Sequence, residues 1–505
     1  MEVVHMLQDW PAHQEYQDTL VLHLLLFFQT DRERVVELDK SISKLYQLNL
    51  DKLFPIVLPL YSNTGRPAKN QPGIIRSLIL MLDQDEHDIP KWASKVASDR
   101  LLCAVCGFEF GDAPAFSSYY DLTKRLWQAS QKALLTRKRR LRSFYAKPRK
   151  KLKAGKKYVP PKHNGVVKRF AALALRDKLP EHRPEIVLQK FLARCVVDTS
   201  LKMGLLGDPE NFSTANDGTP FYSGACHYGV KVCDCKSKGV FDCKCPRRYS
   251  DPDATWGWDS YREQWFYGDT LFASTASDSH NDLPIYLRKA QAQRHDSIIA
   301  IFALVEVRKL YPEITFKNYL ADGAMDNYPT YKLLQHFSMT PFIPLDSNVK
   351  YPDKVLPPGV FGFDDHGNPL CQSCIPYENC HYSYPKGIKY RCWFVCHGIE
   401  KPCNCTDSPY GRTIYIKPDY DPRLFPPVPR DSDAFKDMLK RRTTVERSHK
   451  RLFKDYDIEA GNCRSARERF TRATMAAVNV HLDAWIKHTG FSIIPLLEKL
   501  SGKAA

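Results

Sequence analysis

Residues 211–221 read NFSTANDGTPF. Small, β-branched and aromatic residues lead into Asp217-Gly218, so the segment reads as a strand entering a turn with a carboxylate at its end. The same pattern recurs outward from it. Residues 264–274 (QWFYGDTLFAS) are a second strand candidate, residues 314–321 (ITFKNYLA) a strand ending at Asp322, residues 340–345 (TPFIPL) a short strand and residues 412–417 (RTIYIK) an extended one. Residues 297–310 and 328–337 space their apolar side chains for helices. A long helix is expected from residue 433 to about 454, after Pro426, Pro427 and Pro429, with Ser432 or Asp431 as its cap. Strands first, then alternating helix and strand, predict an α/β fold with a mixed sheet and flanking helices.

Ahead of this part, residues 1–135 read as an all-α N-terminal domain, broken at Gly65-Arg66-Pro67. The runs 73–82 (GIIRSLILML), 91–106 and 116–127 carry apolar residues at helical spacing. Such a module could read DNA or serve only for packing. Residues 136–175 form a basic linker in this reading. Within it, residues 137–169 hold fifteen Lys or Arg and no acid, a composition that would neutralise phosphates or merely stay solvated.

At 505 residues the chain can bury two or three cores. The balance of 74 Lys+Arg against 57 Asp+Glu favours a polyanionic partner, without choosing among DNA, RNA and an acidic membrane. Its most apolar early stretch, residues 20–28, is broken by His23 and too short to cross a bilayer. No membrane partner and a cytoplasmic location are therefore expected. In that reducing compartment cysteines are seldom spent on disulfides, and eleven of the sixteen lie in residues 233–405 in short spacings that point to metal. Cys233-x-Cys235 and Cys243-x-Cys245 could close a tetrahedral structural Zn2+ site, and Cys371-x2-Cys374 is a half-site that Cys403-x-Cys405 could complete. Reduced, packed cysteine is the alternative for both sets, and it is the reading for Cys103-x2-Cys106 in its apolar helical stretch. The aromatic block Trp256, Trp258, Tyr261, Trp265, Phe266 and Tyr267 is expected to contribute mainly to the core, with Trp256 and Trp258 alternatively able to stack on DNA bases.

Phosphodiester cleavage by two metal ions needs carboxylate oxygens fixed around one metal pair. Acids at strand ends and on a facing helix supply them. Asp217, Asp322 and Glu446 meet that description. Glu446 sits in a strongly basic helix (KRRTTVERSHKRLFK), where Arg442 and Lys450 lie four residues to either side and share its face. A solvated, salt-bridged helix is the plain alternative for that stretch. Asp198, after the strand-like run CVVDTS, rivals Asp217 as the first acid. Asp278 and Asp326 read as caps or turn residues.

The order Asp-Gly-Thr at 217–219, Ala-Asp-Gly-Ala at 321–324 and Arg-x3-Glu at 442–446 resembles the DDE-type insertion-sequence transposases. Residues 243–271 and 283–301 look like a bacterial group of that family, and the likeness covers most of residues 70–480. It implies a ribonuclease-H-like catalytic core, with Asp217 on the first strand, Asp322 after the fourth and Glu446 on a late helix. The core would run over residues 176–345 and 412–490, interrupted by a Cys-rich insertion at 346–411. Many relatives carry Tyr-x2-Arg-x3-Glu-x6-Lys. Here Leu439 stands for the Tyr and Phe453 for the Lys, with Lys450 or Lys454 as substitutes. The resemblance implies Mg2+ or Mn2+ as catalytic cofactor, double-stranded DNA (element ends and target) as substrate, a homodimer on DNA and a nucleoid-associated bacterial protein. A non-catalytic, zinc-containing DNA-binding protein derived from a transposase is the alternative from a different class, and a metal-dependent nuclease without strand transfer is a third.

Overall fold

The computed structural model describes residues 7, 9–65, 67–128, 165–180, 183–243, 245, 247–346, 356–383, 385–400, 402 and 405–502. Its centre is a six-stranded mixed sheet of β1 (Phe212–Tyr222), β2 (Thr255–Asp259), β3 (Gln264–Ala276), β4 (Pro284–Gln291), β5 (Phe316–Ala321) and β6 (Thr340–Phe342). The path across it is β4-β3-β1-β5-β6, and β2 continues the β4 edge along the first half of β3. β3 is antiparallel to its neighbours, whereas β1, β5 and β6 are parallel. β1 is central and its first half is buried. Its buried Asn216 is satisfied there, accepting from Ser274 Oγ at 2.7 Å and donating to the Leu320 carbonyl at 3.3 Å.

Helices flank the sheet. We label those used below α1 (Gln71–Asp83), α2 (Phe116–Leu126), α3 (Val166–Ala174), α4 (Asp296–Leu310), α5 (Tyr328–His336), α6 (Asp433–Lys440), α7 (Thr443–Lys450) and α8 (Ala466–Thr489). α8 is buried along most of its length. It seams the N-terminal helices to the sheet: Asn479 donates to the Ile79 carbonyl of α1, and His481 bonds the Pro284 carbonyl of β4. One apolar core therefore runs from Leu20 to Leu497 across both parts. Cys103 and Cys106 are fully buried in it, as packing residues. A second, smaller core holds Tyr377, Ile388, Tyr390, Ile414 and Phe425 around the three-stranded sheet Tyr377–Ser383, Gly387–Cys392 and Thr413–Ile416. The strand expected at 412–417 thus belongs to the Cys-rich unit, not to the main sheet.

Three local expectations are corrected. The run CVVDTS is helical, a π-turn Leu192–Val197 leading into Asp198–Lys202. Its β-branched residues face α8, where Ser200 Oγ bonds His481 and accepts from the Trp485 indole, so packing overrides strand propensity. Asp198 pairs with Lys52 and Arg194 and is no rival to Asp217. The long helix from 433 is broken between α6 and α7, where Thr443 and Thr444 hydroxyls donate back to the Lys440 and Arg441 carbonyls. Finally, the end of the stretch 136–175, expected as a linker, is a packed helix. α3 docks on α4 with Phe170 and Phe302 rings 5.0 Å apart, while residues 129–164 lie outside the described residues. Among the described residues, no helix is long and apolar enough to cross a membrane.

Candidate functional site

The sheet register brings two of the expected acids together. Asn216 of β1 pairs with Ala321 of β5, so the next residues, Asp217 in the middle of β1 and Asp322 just past the carboxyl end of β5, are neighbours where the parallel pairing stops. β1 itself continues through Gly218 to Tyr222 and does not make the turn expected there. Adjacent strands lie about 4.8 Å apart. Asp322 leaves β5 as a cap, its Oδ1 accepting from Ala324 N–H at 3.1 Å, which fixes the carboxylate. Asp217 Oδ1 accepts from Gly218 N–H at 2.8 Å.

A third acid stands beside them that the sequence reading did not single out. Asp296 opens α4 at the same end of the sheet. A methyl group placed on Gly218 would run into the Asp296 carboxylate, so the glycine of the Asp-Gly-Thr run is what lets Asp296 approach β1. Burial, then Asp322 and Asp296, push the Asp217 carboxyl up to about 7. Burial and then Asp322 do the same to Asp296, also to about 7. Tyr319 of β5 is buried, and its hydroxyl is held well above its ordinary value by that burial and then by the charges of Asp322, Asp217 and Asp296. An acid at the first position of a helix reads from sequence as a favourable N-terminal charge, and that reading hid Asp296.

Glu446 comes from the other side. α7 is clamped to the β3–β4 connection by Arg447 on Asp282 (2.7 Å), with Arg441 just before it on Asp278 (2.5 Å) and Arg451 just after it on the Asn281 carbonyl. These contacts fix the helix, and Phe453 beyond it packs against Phe221 of β1 at 5.4 Å. The opposite stripe carries Arg442, Glu446 and Lys450. Arg442 pairs with Glu446 at 2.6 Å and its charge also acts on Asp217, while Lys450 is exposed. The half-exposed Glu446 carboxylate is thus reached from Asp217 through Arg442. Asp278 is taken by Arg441, and Asp326 forms a buried pair with Arg423 at 2.6 Å, ion pairs where caps or turns were expected.

Among the described residues, the one group of three or more metal-capable side chains with all ligand atoms within 4.8 Å of one another is Cys233, Cys235, Cys243 and Cys245. Cys233 and Cys243 sulfurs are 3.5 Å apart, and Cys235 and Cys245 3.6 Å. A tetrahedral site with Zn–S bonds of about 2.3 Å needs sulfurs about 3.8 Å apart. The four cysteines could therefore hold such a metal. The Cys235 backbone N–H and then the neighbouring thiols draw the Cys233 thiol down, while the Cys233 thiol pushes Cys235 up and the surroundings also raise Cys245, so without metal the cluster shares its protons and favours one thiolate at most. In the second set, Cys371 is buried, Cys374 is exposed with its φ at 58°, and Cys403 lies outside the described residues. Cys380 and Cys396 are free thiols within hydrogen-bond contact of each other.

Trp256 and Trp258, expected mainly in the core, are instead exposed, as are Tyr261 and Trp265; only Phe266 of the block is buried. No family model, curated protein or solved structure matches the chain.

Proposed function

We propose that this chain is a DNA transposase of the DDE type, cutting DNA at element ends and joining the freed 3′ end to target DNA. The observation that carries the reading is the proximity of Asp217, mid-way along β1, to Asp322 at the carboxyl end of the parallel strand β5, with the α7 stripe alongside. The strand path β4-β3-β1-β5-β6, with β3 antiparallel, supports a ribonuclease-H-like core. Asp217, Asp322 and Glu446 are the residues that would hold Mg2+ or Mn2+, hard cations suited to carboxylate oxygens. Such ions, when bound, supply activation of the attacking oxygen and stabilisation of the leaving one. Arg442 and Lys450 neutralise the phosphate at the site. The overall +17 charge holds the duplex, and a homodimer pairs two DNA ends.

Asp296 positions Asp217 by repulsion and steric contact across Gly218. Asp296→Asn is expected to lower the cleavage rate about 10- to 100-fold while leaving duplex affinity unchanged. Single-turnover cleavage alongside anisotropy binding separates the two effects, and an unchanged rate would remove Asp296 from the site. The primary test uses purified protein, Mn2+ and labelled DNA carrying the sequences that flank the reading frame.

The cysteine cluster binds one structural Zn2+ in this reading and staples the loop between β1 and β2. Elemental analysis of untreated protein is expected to find zinc, with Cys235→Ser plus Cys243→Ser losing about one equivalent per chain. Zinc content unaffected by those changes would contradict it. A second reading is favoured by one observation: the cysteines lie within metal-binding reach of one another while the Asp217, Asp322 and Glu446 oxygens do not all do so. That is the pattern of a zinc-containing DNA-binding protein without catalysis. Tight binding of DNA with no strand breakage in Mn2+ selects it.

A further inference from the structure

The ribbon of β2 and β3 leaves Trp256, Trp258 and Trp265 exposed beside a half-buried Tyr267, whose hydroxyl donates to the Asp251 carbonyl and whose ring, with that of Trp256, packs against His227. Trp256 lies opposite Tyr267 and Trp258 opposite Trp265, so four rings share one face, while Gly257, Asp259 and Phe266 are buried on the other. Trp258 and Trp265 meet edge to face at 5.4 Å, yet are 52% and 66% exposed. An aromatic row of this extent on an exposed ribbon marks a contact surface.

Position and charge choose its occupant. Side chains two apart on a strand share a face, and Ala273 of β3 is the register partner of Asp217. Tyr267 and Trp265 therefore lie on the Asp217 face, with Trp265 about 26 Å along the strand at roughly 3.3 Å per residue. The ribbon projects beyond Tyr222, the carboxyl end of β1, five residues past Asp217. Arg262 at its turn and Arg248 on the adjoining Val230–Lys231/Arg247–Arg248 ladder are exposed cations. The nearby acids are mostly committed. Asp251 pairs with Arg469, and Asp259 accepts from the Tyr222 hydroxyl and two turn N–H groups, leaving Glu263 at the tip.

We infer that this hairpin is a stacking platform for an unpaired DNA strand leaving the carboxylate site. Open ring faces beside cations suit bases and phosphates of a single strand, whereas duplex bases are already stacked on one another. The inference rests on the transposase reading for its substrate and deepens it by naming the strand state.

The test is fluorescence anisotropy with full-length protein without added Mg2+ or Mn2+, using a labelled 20-nucleotide oligo(dT) and a 20-base-pair duplex. Trp258→Ala plus Trp265→Ala is expected to weaken oligo(dT) binding at least about tenfold and duplex binding less than about twofold. Trp258→Phe plus Trp265→Phe is expected to restore most of the single-strand affinity. Equal weakening of both DNAs, or none, overturns the platform. Unchanged DNA affinity with a shift from dimer to monomer in sedimentation would instead make the face a contact with a second copy. The measurement involves no cleavage, so a wild type that never cuts DNA defeats the transposase reading separately.

Discussion

Asp322→Ala is expected to abolish metal-dependent DNA cleavage, by at least about three orders of magnitude, while circular dichroism and duplex affinity stay as in the parent. Asp217→Asn should abolish cleavage as well, with an opposite effect on stability. Burial and the neighbouring Asp322 and Asp296 raise the Asp217 carboxyl to about 7, so without metal its ionisation opposes the fold. A carboxyl with a raised folded-state value keeps its proton in the native protein over a range where the unfolded chain has released it. Stability of the metal-free parent therefore declines as pH climbs from about 4 to about 7 and levels above that. Asn carries no such dependence. In Mg2+-free buffer at pH 8 its melting temperature should exceed the parent's by about 1–3 °C, with the gap closing toward pH 5. A lower melting temperature at pH 8 would show that the carboxylate is a stabilising partner and not a strained one.

Arg469→Met should be the most damaging single change away from the acids. Arg469 reaches from α8 to Asp251 (2.6 Å) and to Asp269 of β3, and also donates to Ser223 Oγ at 2.7 Å. All three charged groups are buried, and Lys289 also pairs with Asp269 at 3.4 Å. Removing the guanidinium leaves the buried Asp251 without a cation and Asp269 with Lys289 alone, a loss of about 3–5 kcal/mol. Chemical denaturation should read that loss as a fall in midpoint. Asp251→Asn plus Asp269→Asn in the same background should recover part of it, since the stranded charges are then gone. No recovery would place the damage in lost packing instead.

Much of the sheet was legible in the sequence because its signals are local. The segments at 211–221, 264–274 and 314–321 became β1, β3 and β5 to within two residues, and Asp217 within β1 and Asp322 just past β5 followed. β2 and β4 went unread: TWGWD carries glycine and an acid, and PIYLRKAQ ends in residues that fit a helix equally well. Both are strands because β3 offers each of them part of its edge. Asp198 misled for the converse reason, since a β-branched run is helical when its face is claimed by α8. The Asp217–Asp322 proximity required the register of two parallel strands, which no local pattern encodes. Asp296 required the missing side chain at Gly218. The exposed tryptophans show the same limit, because a dense aromatic block reads as core until the pairing of β2 with β3 shows which face is left open.

Anomalous diffraction at the manganese edge, from crystals of the protein soaked in Mn2+, tests the site most directly. The expected map has Mn2+ density within bonding distance, about 2.2 Å, of oxygens from Asp217, Asp322 and Glu446, with Glu446 turned away from Arg442. Density absent from that end of the sheet would contradict the assignment, as would Mn2+ held by Asp217, Asp322 and Asp296 while Glu446 stays on Arg442.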